Sequence, residues 1–292
     1  MDFGVVKRLS VALFGNIVEE NMEHFIPLKP QLEGAGIQIL LKTWISLIML
    51  ISVFAYVLAL AISIAVSTIF ALDMIVFIYI VVMMPVFVAA ITFFGFYIYP
   101  VQKSNSIRSE IENNLPFALA HMSAIVSSGI PPENMFDMLT DFSEYGSISN
   151  HARMIVRNVS TFGMSSSRAI NIVAKKCPSP SFRQVLMGIS TTIEKGGNLP
   201  DYIKKMSDKA LFEYRIKREK YLKTLSTYAD IYTALLVAAP LMMLAVLGIM
   251  GIIGGEVLGL SINDLVTLIT YIILPSLNIA FLAFIHLTYP GI

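Results

Sequence analysis

The chain of 292 residues has one cysteine, Cys177, and one tryptophan, Trp44. A single cysteine makes no internal disulfide, so a disulfide-stapled scaffold is excluded and the redox compartment stays open. Charge is also scarce. Only 14% of residues are Asp, Glu, Lys or Arg and 56% are hydrophobic, against about 25% and about 45–50% in a soluble domain. The mean hydropathy of +0.72 excludes a disordered chain, which is polar and charge-rich. A phosphate-binding loop is missing as well. Gly196-Gly197-Asn198 lacks the Gly-x-x-x-x-Gly-Lys-Ser/Thr spacing that cradles phosphates, and reads as a helix stop followed by a helix start. His24, His121, His151 and His286 are scattered, and none has a second His or Cys at metal-site spacing. His121, beside an apolar stripe, reads as a packed or surface histidine, and Cys177 as a small buried residue. No cofactor, metal or catalytic residue is expected.

What the chain does have is long apolar runs. Asp73 is the single charge between Lys42 and Lys103, and it divides that stretch into 44–72 and 74–99. Each part exceeds the roughly 20 residues that cross a hydrocarbon core. A second pair, 231–253 and 265–289, is separated by Gly254, Gly255, Glu256, Ser261, Asn263 and Asp264. The expectation is four transmembrane helices in two hairpins. Lys and Arg orient them. Segment 1–42 holds four of the 21 bases and segment 101–228 holds the other 17, while the two remaining turns contain only Asp73, Glu256 and Asp264. Both basic segments, and with them the N- and C-termini, are therefore expected in the cytoplasm of a multi-pass protein of the cytoplasmic (inner) membrane.

The domain reading follows: 1–43 as a cytoplasmic amphipathic segment, 44–100 as the first hairpin, 101–228 as a cytoplasmic helical domain and 229–292 as the second hairpin. In the first segment, Val6, Leu9, Leu13 and Ile17 recur at helical spacing, which predicts a helix lying on the membrane or on the main domain. The insert is helical throughout. Ile107, Ile111, Leu115, Ala118, Met122 and Ile125 average 3.6 residues apart, and Pro116 among them predicts a kink or a new helix. A second helix is expected over about 132–144. A third is expected from a Ser149 cap to near Gly163, and a fourth over 165–176. Phe182, Val185, Ile189 and Ile193 stripe a fifth. Asn198 caps a sixth, striped by Leu199, Ile203, Met206 and Ala210, which lacks a breaker before the third span. Short connections predict antiparallel neighbours. The fold class is thus an all-α membrane protein: four transmembrane helices in two hairpins flanking a cytoplasmic antiparallel bundle of about six helices.

Stretch 204–223 contains eight bases and three acids. Such a segment is attracted to anionic lipid or docks an acidic partner. No aromatic-studded platform accompanies it, so nucleic acid is not expected as a partner. From charge and exposure, the candidate partner-binding residues are Lys204, Lys205, Lys209, Arg215, Lys217 and Arg218, with the loop tips Pro131, Pro132, Glu133 and Gly196, Gly197, Asn198. A membrane transporter or channel is the competing reading, but such proteins use ionisable groups at membrane depth. Asp73, Glu256 and Asp264 fall in turns, and Asp230 reads as a helix-end residue.

Several stretches occur together in a distinctive order. Tyr99-Pro100 closes the second span, and Ile111-Glu112-Asn113-Asn114-Leu115-Pro116-Phe117-Ala118-Leu119 follows. Then come Ser127-Ser128-Gly129-Ile130-Pro131-Pro132, Glu144-Tyr145-Gly146, Phe162-Gly163, Pro178-Ser179-Pro180 and Gly196-Gly197-Asn198-Leu199. The chain over about 31–253 resembles the type II secretion system protein F domain family. With Gln31-Leu32-Glu33-Gly34-Ala35-Gly36-Ile37 before the first span, it is more similar to the archaeal branch, the archaellar assembly protein J family. The resemblance implies a non-enzymatic platform of a type IV filament machine: an archaellum, an archaeal pilus or a related secretion system. It implies a hexameric secretion ATPase and pilin-like or archaellin subunits as partners. Many relatives carry two such domains. One domain here implies a homodimer or a heterodimer with a paralogue.

Overall fold

The computed structural model describes residues 3–37, 39–69, 74–254, 256–257 and 260–288. Asp73, Gly255 and Pro290-Gly291-Ile292 lie outside the described residues. Among the described residues the regular structure is helical apart from one minimal hairpin, and the chain divides into two compact units, Met1–Ala210 and Leu211–Ile292. Among the described residues, four helices are long and apolar enough to cross a membrane: Leu41–Ile69, Phe77–Ser127, Leu199–Ile252 and Ile262–Thr288. The chain is a multi-pass membrane protein.

In the first unit, α1 (Phe3–Glu20), α2 (Met22–Phe25) and α3 (Leu28–Gly34) precede α4 (Leu41–Ile69). At about 1.5 Å per residue, α4 exceeds the thickness of a hydrocarbon core. It packs against α5 (Met74–Ser127) and α1. Ser52, Ala59, Ser63 and Ser67 give α4 a buried small-residue face that permits close helix approach. The hydroxyls of Ser63 and Ser67 find local acceptors on the helix backbone, as a medium without water requires, whereas Ser52 Oγ is buried with no partner among the described residues. Ser63 donates to the Leu60 carbonyl at 2.9 Å and Ser67 to that of Ser63 at 2.7 Å.

Helix α1 forms where the spacing predicts it, and its apolar stripe does not pack on the main domain, one of the two seats expected for it. Its predicted stripe Leu9, Leu13, Ile17 is exposed, and the face turned inward carries Ser10, Gly15 and Val18. Small residues there let α1 sit close to α4: a Cβ on Gly15 would lie 3.2 Å from the Lys42 side chain, which pairs with Glu19 at 2.6 Å.

Helix α5 does not end at Tyr99-Pro100. It runs 54 residues through Pro85, Pro100 and Pro116, so no new helix starts at Pro116. Lys103 Nζ lies 5.9 Å from the Tyr99 ring centroid, a cation over an aromatic face at the end of the apolar run. Beyond it, Ile111, Leu115, Ala118, Leu119, Met122 and Ile125 enter the core of a bundle formed with five further helices. These are α6 (Pro132–Thr140), α7 (Ser147–Ser160), α8 (Ser166–Lys176), α9 (Pro180–Glu194) and the start of α10 (Leu199–Tyr232). Phe136, Ile148, Ile170, Phe182, Leu186, Ile189 and Ile203 complete the core. Each fully buried side chain of this size contributes about 1.5–3 kcal/mol.

Two boundaries differ. The second bundle helix stops at Thr140, and residues 143–145 form a separate 3-10 turn. The third starts at Ser147, because Gly146 adopts φ +53° and turns the chain there. Ser149 therefore lies inside α7, where its hydroxyl donates back to the Phe142 carbonyl instead of capping.

The second unit carries the remainder of α10, then α11 (Ala239–Ile253), α12 (Ile262–Leu268) and α13 (Leu274–Thr288). Glu256–Val257 pairs antiparallel with Leu260–Ser261 where a plain loop was expected. Asp264 belongs to the first turn of α12: Ser261 Oγ accepts from the Asp264 N–H and donates to its carboxylate at 2.7 Å. π-helical segments Thr233–Ala238 and Ile269–Ile273 each end two residues before a proline, Pro240 and Pro275. A proline clashes with the carbonyl four residues earlier and offers no N–H. The wider turn re-spaces those carbonyls, so each helix continues past its proline. Tyr232 Oη donates to Asn278 Oδ1 at 3.1 Å, and Leu247, Ile262 and Ile269 form a small core.

Candidate functional site

The sequence-predicted residues fall on separate elements. Lys204, Lys205 and Lys209 lie on the exposed face of α10 in the first unit, opposite the buried Ile203 and Ser207. Lys205 pairs with Asp201 one turn earlier at 2.8 Å, a surface pair of small energetic weight. Arg215, Lys217 and Arg218 are exposed on the same helix but within the second unit. The tip Gly196, Gly197, Asn198 leads directly into α10. Gly196 takes φ +64° after α9, and Asn198 Oδ1 accepts from the Asp201 N–H at 3.1 Å, so Asn198 caps α10. The tip and the first two lysines thus share one end of one helix. Pro131 is exposed and caps α6, and Pro132 and Glu133 open that helix.

Sequence reasoning missed a cavity. A space of about 1120 Å³ lies between the 22–42 segment and the bundle. One wall is Met22, Ile26, Lys29, Glu33 and the 34–37 turn. Leu40, Leu41 and Lys42 form its edge where α4 begins, and the bundle closes it with Ile107, Asn150, His151, Met154 and Lys176. His151 Nδ1–H donates to the Ser147 carbonyl at 2.6 Å, leaving Nε2 as an acceptor. Burial pushes its imidazole below the ordinary histidine range, only partly offset by that bond. The lining residues come from four distant stretches of sequence, so no local spacing signals the cavity.

Polar contacts hold this part of the bundle in register. Glu110 on α5 accepts from the Ser147 N–H at 3.3 Å and from the Ser147 hydroxyl, replacing the side-chain cap that Gly146 cannot supply. Between α8 and α9, Ser190 Oγ donates to the Ser167 carbonyl and accepts from Asn171 Nδ2, while Ser167 donates to Glu194. His121 packs edge-on against Phe142 at 4.2 Å and meets Tyr145 Oη at 3.3 Å.

Cys177 is fully buried. Burial pushes its thiol up to about 11, and Sγ–H points at the Ser179 carbonyl, 3.6 Å away. A thiolate-directed reagent at pH 8 is therefore expected to label the folded protein about 100-fold more slowly than the denatured chain. Equal rates in the two states contradict this burial.

Among the described residues, no group of three or more His, Cys, Asp or Glu gathers as a metal site. The geometry defines a helical multi-pass membrane protein whose second apolar helix continues into the core of a six-helix bundle. Residues 118–247 match the family described as Type II secretion system (T2SS), protein F. An uncharacterized protein of Methanocaldococcus jannaschii is 22% identical over 135 residues, a match covering 46% of this chain but 23% of the relative. No solved structure is significantly similar to the chain.

Proposed function

We propose that this protein is a non-enzymatic platform in the cytoplasmic membrane for assembly of a type IV filament: an archaellum, an archaeal pilus or a related secretion system. In this reading the bundle is cytoplasmic and engages a hexameric ATPase. The apolar helices engage pilin-like subunits, and two copies or a paralogous pair form the working unit. The observation that carries it is the protein F match at residues 118–247, with the bundle built onto a helix that is both membrane span and bundle core. A push or rotation applied to the bundle passes along α5 toward its apolar half without crossing a hinge loop. The 31–37 segment supports the archaellar branch.

The exposed lysines at the start of α10 supply the docking charge. With Lys204, Lys205 and Lys209 all changed to Glu, ATPase binding to the purified protein is expected to weaken about tenfold or more at low salt, with the difference shrinking as salt rises. Unchanged binding returns this face to a lipid-facing role. No co-purification of the wild-type protein with the ATPase of its own system overturns the platform reading.

A further inference from the structure

We propose that the cavity between the 22–42 segment and the bundle is a binding site for one anionic phospholipid. The inference goes beyond the platform reading and stands without it.

Depth is the first argument. Lys42 is the last charge before the apolar part of α4, and Lys103 is the first charge after the apolar part of α5. Both mark where their helices leave the hydrocarbon. The cavity has Lys42 on its edge and Ile107, one turn beyond Lys103, on its wall. It therefore lies at headgroup depth, where lipid rather than solute is the abundant ligand.

Chemistry is the second. Lys29, Lys42 and Lys176 line the space against a single carboxylate, Glu33. Lys42 is engaged by Glu19, whereas Lys29 and Lys176 have no ion-pair partner among the described residues. Two ammonium groups thus face a phosphate, and Asn150 and the acceptor Nε2 of His151 suit headgroup hydroxyls. A free anion would leave the other half of the site unused. Ile26, Leu40 and Leu41 give an apolar rim at the start of α4, and Leu40 is 79% exposed. An acyl chain continuing along α4 covers that rim. The volume of about 1120 Å³ also exceeds the roughly 300–1,000 Å³ of ordinary small-molecule pockets.

The test follows thermal unfolding of the full-length protein in non-ionic detergent. It is titrated with a short-chain phosphatidylglycerol, with phosphatidylcholine of the same chain length, or with inorganic phosphate. Saturable stabilisation by phosphatidylglycerol alone is expected. Lys29→Gln with Lys176→Gln, both at exposed positions, should weaken it by about fivefold per lysine. Arg168→Gln with Lys195→Gln removes equal charge outside the cavity lining and should leave it unchanged. Asn150→Trp, an exposed position on the cavity wall, should fill the space and abolish the response while the unliganded protein unfolds normally. Equal stabilisation by both lipids, a response to phosphate alone, or an unchanged response in the two-lysine variant overturns the proposal.

Discussion

Replacing Gly146 with alanine is expected to destabilise the bundle by about 1.5–5 kcal/mol, from two separable causes. Gly146 holds φ +53° with ψ −115°, a region that L side chains do not enter without strain of about 1–3 kcal/mol. A Cβ built there would also overlap the Glu110 carboxylate that caps α7. Displacing Glu110 leaves the first N–H of α7 without its acceptor, a loss of about 0.5–2 kcal/mol. A double-mutant cycle separates the two. Glu110→Ala alone should show the capping loss. In the Glu110→Ala background, Gly146→Ala should retain the backbone strain only, so its cost falls without vanishing. The measurement is the unfolding midpoint of the full-length protein in detergent. A midpoint for Gly146→Ala equal to wild type contradicts both causes.

Much of the bundle was legible because its helices bury one face each. The stripe Ile111, Leu115, Ala118, Met122 and Ile125 is buried as its 3.6-residue spacing predicts, and so are Phe182, Val185, Ile189, Leu199 and Ile203. Asn198 caps its helix with its side chain as its chemistry favours, and Ser165 holds the N-cap position of α8 without a side-chain cap bond. Periodicity alone does not say which surface an apolar row faces. In α1 the Leu9, Leu13, Ile17 row is as hydrophobic as a core stripe yet faces outward, while Ser10 and Gly15 face α4 because small residues permit contact there. Hydrophobicity cannot separate a lipid-facing row from a protein-facing one when both solvents are apolar. Of the two expectations for Pro116, a kink or a new helix, the new helix does not occur: α5 continues through it, with core contacts on both sides at Leu115 and Ala118. The cavity was invisible because Lys29, Lys42, His151 and Lys176 are brought together only by tertiary packing.

The effect of alanine at Gly188 should depend in sign on what occupies position 202. Gly188 lies in the interior of α9, where alanine is ordinarily favoured by about 1 kcal/mol. Here a Cβ would overlap the hydroxyl and ring of Tyr202 on α10. That ring is held: Tyr202 Oη donates toward the Val185 and Gln184 carbonyls at 3.4 and 3.5 Å, and burial pushes its hydroxyl above the ordinary tyrosine range. The ring cannot yield without giving up its packing over α9, so overpacking of about 1–3 kcal/mol outweighs the propensity gain. Gly188→Ala should therefore lower the unfolding midpoint by several degrees in the wild-type background. In a Tyr202→Ala background, whose own midpoint is lower, the same substitution should raise it, because the overlap is gone and only the propensity gain is left. A loss of similar size in both backgrounds would mean that Gly188 is required for another reason and that α10 does not reach α9 through Tyr202. The reversal also bears on the proposed function, since Tyr202 sits one turn from the Gly196, Gly197, Asn198 tip and next to Lys204 and Lys205. If this contact sets the angle at which α10 leaves α9, the Gly188→Ala variant should lose ATPase binding together with stability, and Gly188→Ala with Tyr202→Ala should recover stability relative to Tyr202→Ala without recovering binding.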